Sequence, residues 1–122
     1  MNIPEQYLPL MPYLIVSNSG DFRGFMKTVF HATEQLIVPG EGNNVQHGEL
    51  RVGNAVIMFS QATEKWPEKT AGMYMYVEDV DGIYSQALRH GARTLMEPVK
   101  QDYGYTAGFE DVAGNHWWIV QP

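Results

Sequence analysis

Two stretches of the chain, YLIVSNSGDFRGFMKTVFHATEQLIV from Tyr13 and YMYVEDVDGIYSQALRHGARTLMEPV from Tyr74, lie one under the other without a gap, and GNAVIMF at Gly53 returns as GNHWWIV at Gly114. An internal repeat of half the chain constrains the fold more than composition does, because a unit with one apolar face must bury that face against its copy. The repeats run over about 10–61 and 71–121, and the 122 residues fit one domain with a real core. Each repeat reads as strand, helix and three strands. Two such βαβββ units are expected to pair into an α+β fold, a saddle-shaped or half-barrel mixed sheet with the helices outside.

The elements follow from periodicity and punctuation. LMPYLIV, about 10–16, is an apolar strand; after it Phe22, Phe25, Met26, Val29 and Phe30 recur at helical spacing, with Ser17, Asn18 and Ser19 supplying N-cap chemistry. TEQLIVP, VQHGELRV and AVIMFSQ are three strands separated by GEGNN and the Gly53-Asn54 turn, and ATEKWPEK links the halves. In the second half GMYMYVED is a strand, DVDGIYSQALRHG a helix with Ile83, Ala87 and Leu88 on one face, and TLMEPV, TAGFEDV and HWWIVQ are strands. His31 and His90 each end a helix, and Gly91 is placed to take the left-handed cap conformation.

Composition removes several function classes. With no cysteine there is no disulfide, thiol nucleophile or thiolate metal site, which suits a reducing cytoplasm. The opening MNIPEQYLPLMPY carries no basic segment followed by a long apolar run, and no apolar run is long enough to span a bilayer, so no membrane partner is expected. A net charge of −6 with only 8 Lys plus Arg argues against nucleic acid. A nucleophile elbow, a P-loop and a dinucleotide glycine motif are all missing.

A βαβββ repeat that ends in an acidic residue, a Gly-Asn turn and a strand, as in FEDVAGNHWWI, resembles the vicinal-oxygen-chelate superfamily of glyoxalase I, bleomycin-resistance proteins and extradiol dioxygenases. HGELRVGNAVIMF and DYGYTAGFEDVAGNHWWIV resemble its PhnB-like branch more narrowly. The resemblance covers about residues 10–121 and implies the fold, pairing into a homodimer, and divalent-metal ligands on the first and last strand of each half. Carried over, those ligand positions fall on Met11, Met58, Gly72 and Trp118, with Ile57 replacing Met58 if the register slips by one. Thioether, hydrogen and indole are not ligands for such an ion. The expectation is therefore a protein with no metal at the family position and no cofactor.

Strand alternation assigns the side chains of the cavity wall. Met11, Tyr13 and Ile15, then Val56, Met58 and Ser60, then Gly72, Tyr74 and Tyr76, share the cavity side; His116, Trp118 and Val120 join them, while Trp117 and Ile119 face the helix layer. Methionine and aromatic walls suit a flat or apolar small molecule, and the same side chains are also able simply to pack on one another. His47, Glu49 and Arg51 lie on one face of their strand, opposite Gly48, Leu50 and Val52; they are either the cavity's polar edge or a solvated edge-strand ion pair. Glu110 is the carboxylate near His116.

The expected function is a metal-free binding protein whose ligand-binding residues are Met11, Tyr13, Met58, Tyr74, Tyr76, His116 and Trp118, taking a small aromatic or apolar molecule. The alternative is a lyase, isomerase or dioxygenase-like enzyme of the same superfamily. It would use a displaced metal, or His47 and Glu49 as an acid–base pair with Glu110 as a further candidate. A purely structural interaction module is a third class.

Overall fold

Three strands of the first half and the last strand of the second span the segments that alternation and turn chemistry mark out. A computed structural model describes residues 1–122. Its backbone forms two compact units, Met1–Lys69 and Thr70–Pro122, each containing one βαβββ repeat.

In the first unit β1 (Tyr13–Val16) is followed by α1 (Ser19–Val29), β2 (Thr33–Pro39), β3 (Val45–Val52) and β4 (Ala55–Gln61). The sheet order is β1-β4-β3-β2, with β1 parallel to β4 and the other pairs antiparallel. The helix buries Phe22, Phe25, Met26 and Val29, and the sheet answers with Leu14, Val16, Leu50, Ile57 and Phe59. The Phe22 and Phe59 rings meet edge to face with centroids 5.1 Å apart. Each such side chain stabilises the fold by about 1.5–3 kcal/mol relative to an exposed one, so this layer holds the unit together.

The first strand is shorter than expected. It begins at Tyr13 because Pro12 has no N–H for the ladder, although the Pro12 carbonyl still accepts from Met58 N at 2.9 Å. Met11 therefore stands ahead of β1 rather than within it. The helix start also differs. Asn18 sits at the N-cap without a side-chain capping bond. Gln61, at the end of β4, replaces it: Oε1 accepts from Ser19 N at 3.1 Å and Ser19 Oγ at 2.6 Å. Ser19 Oγ in turn accepts from Val45 N at 2.8 Å. A neutral amide reaching across from the sheet satisfies the helix N-terminus.

In the second unit β5 (Gly72–Tyr76), α2 (Val80–Arg89), β6 (Arg93–Gln101), β7 (Gly104–Glu110) and β8 (His116–Gln121) form a sheet ordered β5-β8-β7-β6, with β5 parallel to β8. Asp79 caps α2 by accepting from Gly82 N at 3.0 Å, and Gln121 Oε1 accepts from Val80 N at 3.2 Å. Ala87 and Val80 are buried, whereas Leu88, expected beside Ile83 and Ala87, is exposed. A helix turns 100° per residue, which carries position 88 off the face shared by 83 and 87. Gly91 adopts φ +100°, the left-handed conformation its place after the helix requires.

One outer strand of each sheet, β2 and β6, is irregular. The β2–β3 ladder shifts register between Glu34 and Leu36 and again between Val38 and Pro39; the β6–β7 ladder shifts between Thr94 and Met96 and between Met96 and Val99, around Pro98. No helix is long and apolar enough to cross a membrane.

Candidate functional site

The face of the first sheet opposite α1 is set by cross-strand register. Tyr13 pairs with Met58 and Met58 with Glu49, so these three share a face, joined at alternate positions by His47 and Arg51. The other parity is the helix side: a Cβ on Gly48 would lie 2.3 Å from the Phe59 ring, which is itself packed against Phe22. Since the order is β1-β4-β3-β2, β3 is an interior strand, and the solvated edge-strand reading of His47 and Glu49 does not hold.

Glu49 is only 3% exposed and is satisfied by three donors. Tyr7 Oη donates to both carboxylate oxygens at 2.9 and 3.2 Å, Gln35 Nε2 donates to Oε1 at 3.2 Å, and His47 Nε2 lies 2.8 Å from Oε2. Burial alone pushes this carboxyl upward, but the bonds from His47, Gln35 and Tyr7 together outweigh it and hold Glu49 below the ordinary carboxylate range. An ionised Glu49 only accepts, so His47 Nε2 carries the proton between them. With the proton on Nε2, Nδ1 of a neutral imidazole is an acceptor, and it lies 3.2 Å from Tyr13 Oη. Tyr7, donating to a carboxylate, is pushed up. Arg51 donates to Gln35 Oε1 and to the Gln6 carbonyl, both at 3.0 Å, which locks the Gln35 amide in orientation.

Tyr13 is 52% exposed and stands where this network meets an open depression of about 510 Å³. The depression is also lined by Asn44, Gln46, Ser60, Thr63 and Trp66. Tyr7 and Gln35 were not visible from strand alternation: Gln35 lies at the β2 bulge, where the two-residue period breaks, and Tyr7 belongs to a segment without periodicity.

The second sheet carries a different open face. Tyr74 pairs with Trp118, Gly72 with His116 and Tyr76 with Val120. Tyr74 and Tyr76 are 56% and 66% exposed and their rings meet edge to face at 5.6 Å, while Trp118 is half-buried. The Trp118 ring lies over Gly108, where a Cβ would come within 2.2 Å of it. His116 Nε2 lies 3.1 Å from Glu110 Oε1, and Arg93 donates to the same oxygen at 3.2 Å; Arg93 first and His116 second hold Glu110 below the ordinary range.

Trp117, on the opposite side of β8, is 2% exposed and its indole N–H donates to Asp111 Oδ2 at 2.8 Å. Asp111 also accepts from Ala113 N, Asn115 N and Asn115 Nδ2, and Asn115 Oδ1 accepts from Ala71 N at 3.0 Å. This buried clasp, closed by Gly114 at φ +97°, fixes the entry to β8. Its sequence signal is an aspartate four residues before an asparagine that follows a turn glycine.

The equivalence of the Tyr13–Met58 and Tyr74–Trp118 pairs makes Met58, not Ile57, the counterpart of Trp118; Ile57 lies on the buried helix side. The ligand positions that the resemblance implies thus fall on Met11 and Met58 in the first unit and on Gly72 and Trp118 in the second. Their donor set does not fit the divalent ion that the resemblance implies. His47 pairs with Glu49 within the first unit and His116 with Glu110 within the second, and no group of three or more His, Cys, Asp or Glu that could hold a metal ion is present.

Solved structures share this fold. TioX from Micromonospora sp. ML1 superposes with a TM-score of 0.78 at 17% identity, covering 94% of this chain and 98% of that one. A PhnB protein from Bacillus cereus gives 0.76 at 13% identity, covering 94% and 100%. A glyoxalase/bleomycin resistance protein/dioxygenase family enzyme from Burkholderia phytofirmans PsJN gives 0.74 at 18% identity, covering 91% and 95%. No curated protein sequence matches significantly. The family model described as Glyoxalase/Bleomycin resistance protein/Dioxygenase superfamily matches residues 10–119. A repeat pattern, a βαβββ topology in each half and a family match over nearly the whole chain agree, and the chain belongs to the glyoxalase/bleomycin resistance protein/dioxygenase superfamily.

Proposed function

We propose that this protein is a metal-free binder of a small aromatic or apolar molecule and works as a cytoplasmic homodimer. The observation that carries the reading is the second sheet's open face, where Tyr74 and Tyr76 remain more than half exposed beside Trp118. Rings grouped on one strand face and left wet are uncommon unless a ligand or partner covers them. The Met58 and Tyr13 surface of the first sheet has the same character, with a polar end at His47. Support for the dimer comes from β5, which lies at the edge of its sheet, and from the superfamily's habit of pairing these units.

The test is a thermal-denaturation screen of small aromatics, since a native-state ligand raises the melting temperature by mass action. A hit should quench indole fluorescence, and Trp118→Ala should abolish most of the quenching while leaving the protein folded. Hits whose affinity is indifferent to Trp118→Ala and to Tyr74→Ala would sink this reading. Sedimentation at micromolar concentration checks the assembly, and a monomer there rejects the dimer.

A second reading rests on a specific observation: Glu49, His47 and Tyr13 form a directed chain in which a buried carboxylate orients an imidazole whose other nitrogen faces an exposed phenol. That is the arrangement of a general base. The enzyme reading requires turnover of some bound compound that falls by about 100-fold or more in His47→Ala with binding retained.

A further inference from the structure

We propose that Glu49, with His47 and Gln35, forms a subsite for an aromatic hydroxyl, and that Tyr7 is the chain's own occupant of it. The inference rests on the ligand-binding reading above and names the ligand chemistry of the first sheet's open face. Glu49 is buried on an interior strand, and two of its three donors, His47 and Gln35, come from the sheet itself. The third comes from elsewhere. Tyr7 belongs to the segment before β1, which has no helix or strand and is mostly exposed. Its Oη donates to both carboxylate oxygens, and beside it the Gln6 carbonyl accepts from Arg51.

The chemistry of the pocket selects its occupant. A buried carboxylate that loses one of its donors is costly to leave unsatisfied, so the site demands a hydroxyl or N–H when Tyr7 withdraws. A cationic donor is disfavoured by Arg51 on the same face, and an anionic ligand is repelled by Glu49. A neutral donor remains, and the one that the chain itself places there from outside the sheet is a hydroxyl. Tyr7 shows that a phenol reaches both oxygens at hydrogen-bonding distance, and Met58, the cross-strand neighbour of Glu49, offers a soft surface for an aromatic ring. The ligand class is a small hydroxylated aromatic that displaces Tyr7, with the N-terminal segment lifting away as it binds.

The probe is p-cresol, which reproduces the Tyr7 side chain, with toluene as the control lacking the hydroxyl. Binding is followed by amide chemical-shift mapping on the full chain. Tyr7→Ala should bind p-cresol about tenfold more tightly than the wild type, because the internal competitor is gone. It should prefer p-cresol over toluene by about tenfold, a preference that Glu49→Gln in the same background removes. The shifts should centre on Gln35, His47 and Glu49. Melting curves check folding, and Tyr7→Gly gives an independent second variant. Equal affinity for p-cresol and toluene, no gain over the wild type, or no binding in either variant overturns the proposal. Shifts confined to Tyr74 and Trp118 overturn this subsite while leaving the binding reading intact. Failure of every aromatic in the wider screen removes that reading itself.

Discussion

Gln61 and Gln121 end β4 and β8 in equivalent places, and each turns its side-chain carbonyl to the first backbone N–H of the helix in its own half, Ser19 at 3.1 Å and Val80 at 3.2 Å. The repeat is thus preserved in a polar device as well as in its apolar spacing. Gln61 does more, since it also accepts from Ser19 Oγ and donates to the Ser17 carbonyl. Gln61→Ala should cost about 1–2 kcal/mol, the scale of a lost N-cap, and Gln121→Ala less, because Asp79 still caps α2. Urea denaturation of both variants gives the ranking, and a larger loss in Gln121→Ala contradicts it.

Trp117 and Trp118 differ in what they support. Trp117→Ala should cost ~3–5 kcal/mol as a large core deletion and also strips a donor from buried Asp111. Trp118→Ala, on the half-buried face, should cost distinctly less. Guanidinium unfolding measures the pair. Equal midpoints would mean that both indoles are packing groups.

A methyl group placed on Gly48 would drive into Phe59, which cannot yield because Phe22 stands behind it. Gly48→Ala should destabilise the protein by ~1–3 kcal/mol. Gly108→Ala meets the Trp118 ring instead, and a half-buried indole has room to swing outward. Its cost should be smaller and should appear as a red shift of tryptophan emission. An unshifted spectrum with a large loss of stability would show that Trp118 is held as rigidly as Phe59.

Acid should weaken the α1–β2 connection in a defined window. Arg23 and Lys27 both donate to Glu34 and hold its carboxyl at about 2, against an ordinary 4.5. A depressed folded-state value means that the contribution is fully present above 4.5 and disappears as pH falls toward 2. The groups are partly exposed, so water and salt screen the pair and the contribution at neutral pH should be only ~0.5–1 kcal/mol. Glu34→Gln should therefore be less stable than the wild type at pH 7, with the gap closing near pH 2 in thermal melts; a gap independent of pH rejects the assignment.

The sheet is where sequence reading succeeded, for a physical reason. TEQLIVP, VQHGELRV, AVIMFSQ and HWWIVQ are bounded by turns and half-buried on one face, so period and punctuation coincide with β2, β3, β4 and β8. The same alternation put His47, Glu49 and Arg51 on one face. It could not reach Tyr7, whose contact with Glu49 spans 42 residues of chain, nor Gln35, displaced by a bulge. The N-terminus of α1 misled for a related reason: Ser17-Asn18-Ser19 is good local capping chemistry, yet a glutamine 42 positions beyond Ser19 supplies the bond. Contacts made by tertiary approach leave no periodic trace.

The irregular ladders of β2 and β6 have a consequence for how the protein survives at high concentration. An outer strand with straight, evenly spaced N–H and C=O groups is a template on which a foreign strand can grow. Here β2 slips twice within 7 residues and ends in Pro39, and β6 slips on both sides of Met96 and carries Pro98. Neither edge presents an unbroken row of donors to an incoming chain. Fibril growth from these sides would have to begin by ironing out a bulge, so a variant that regularised β2 would be expected to fold much as before and to precipitate sooner.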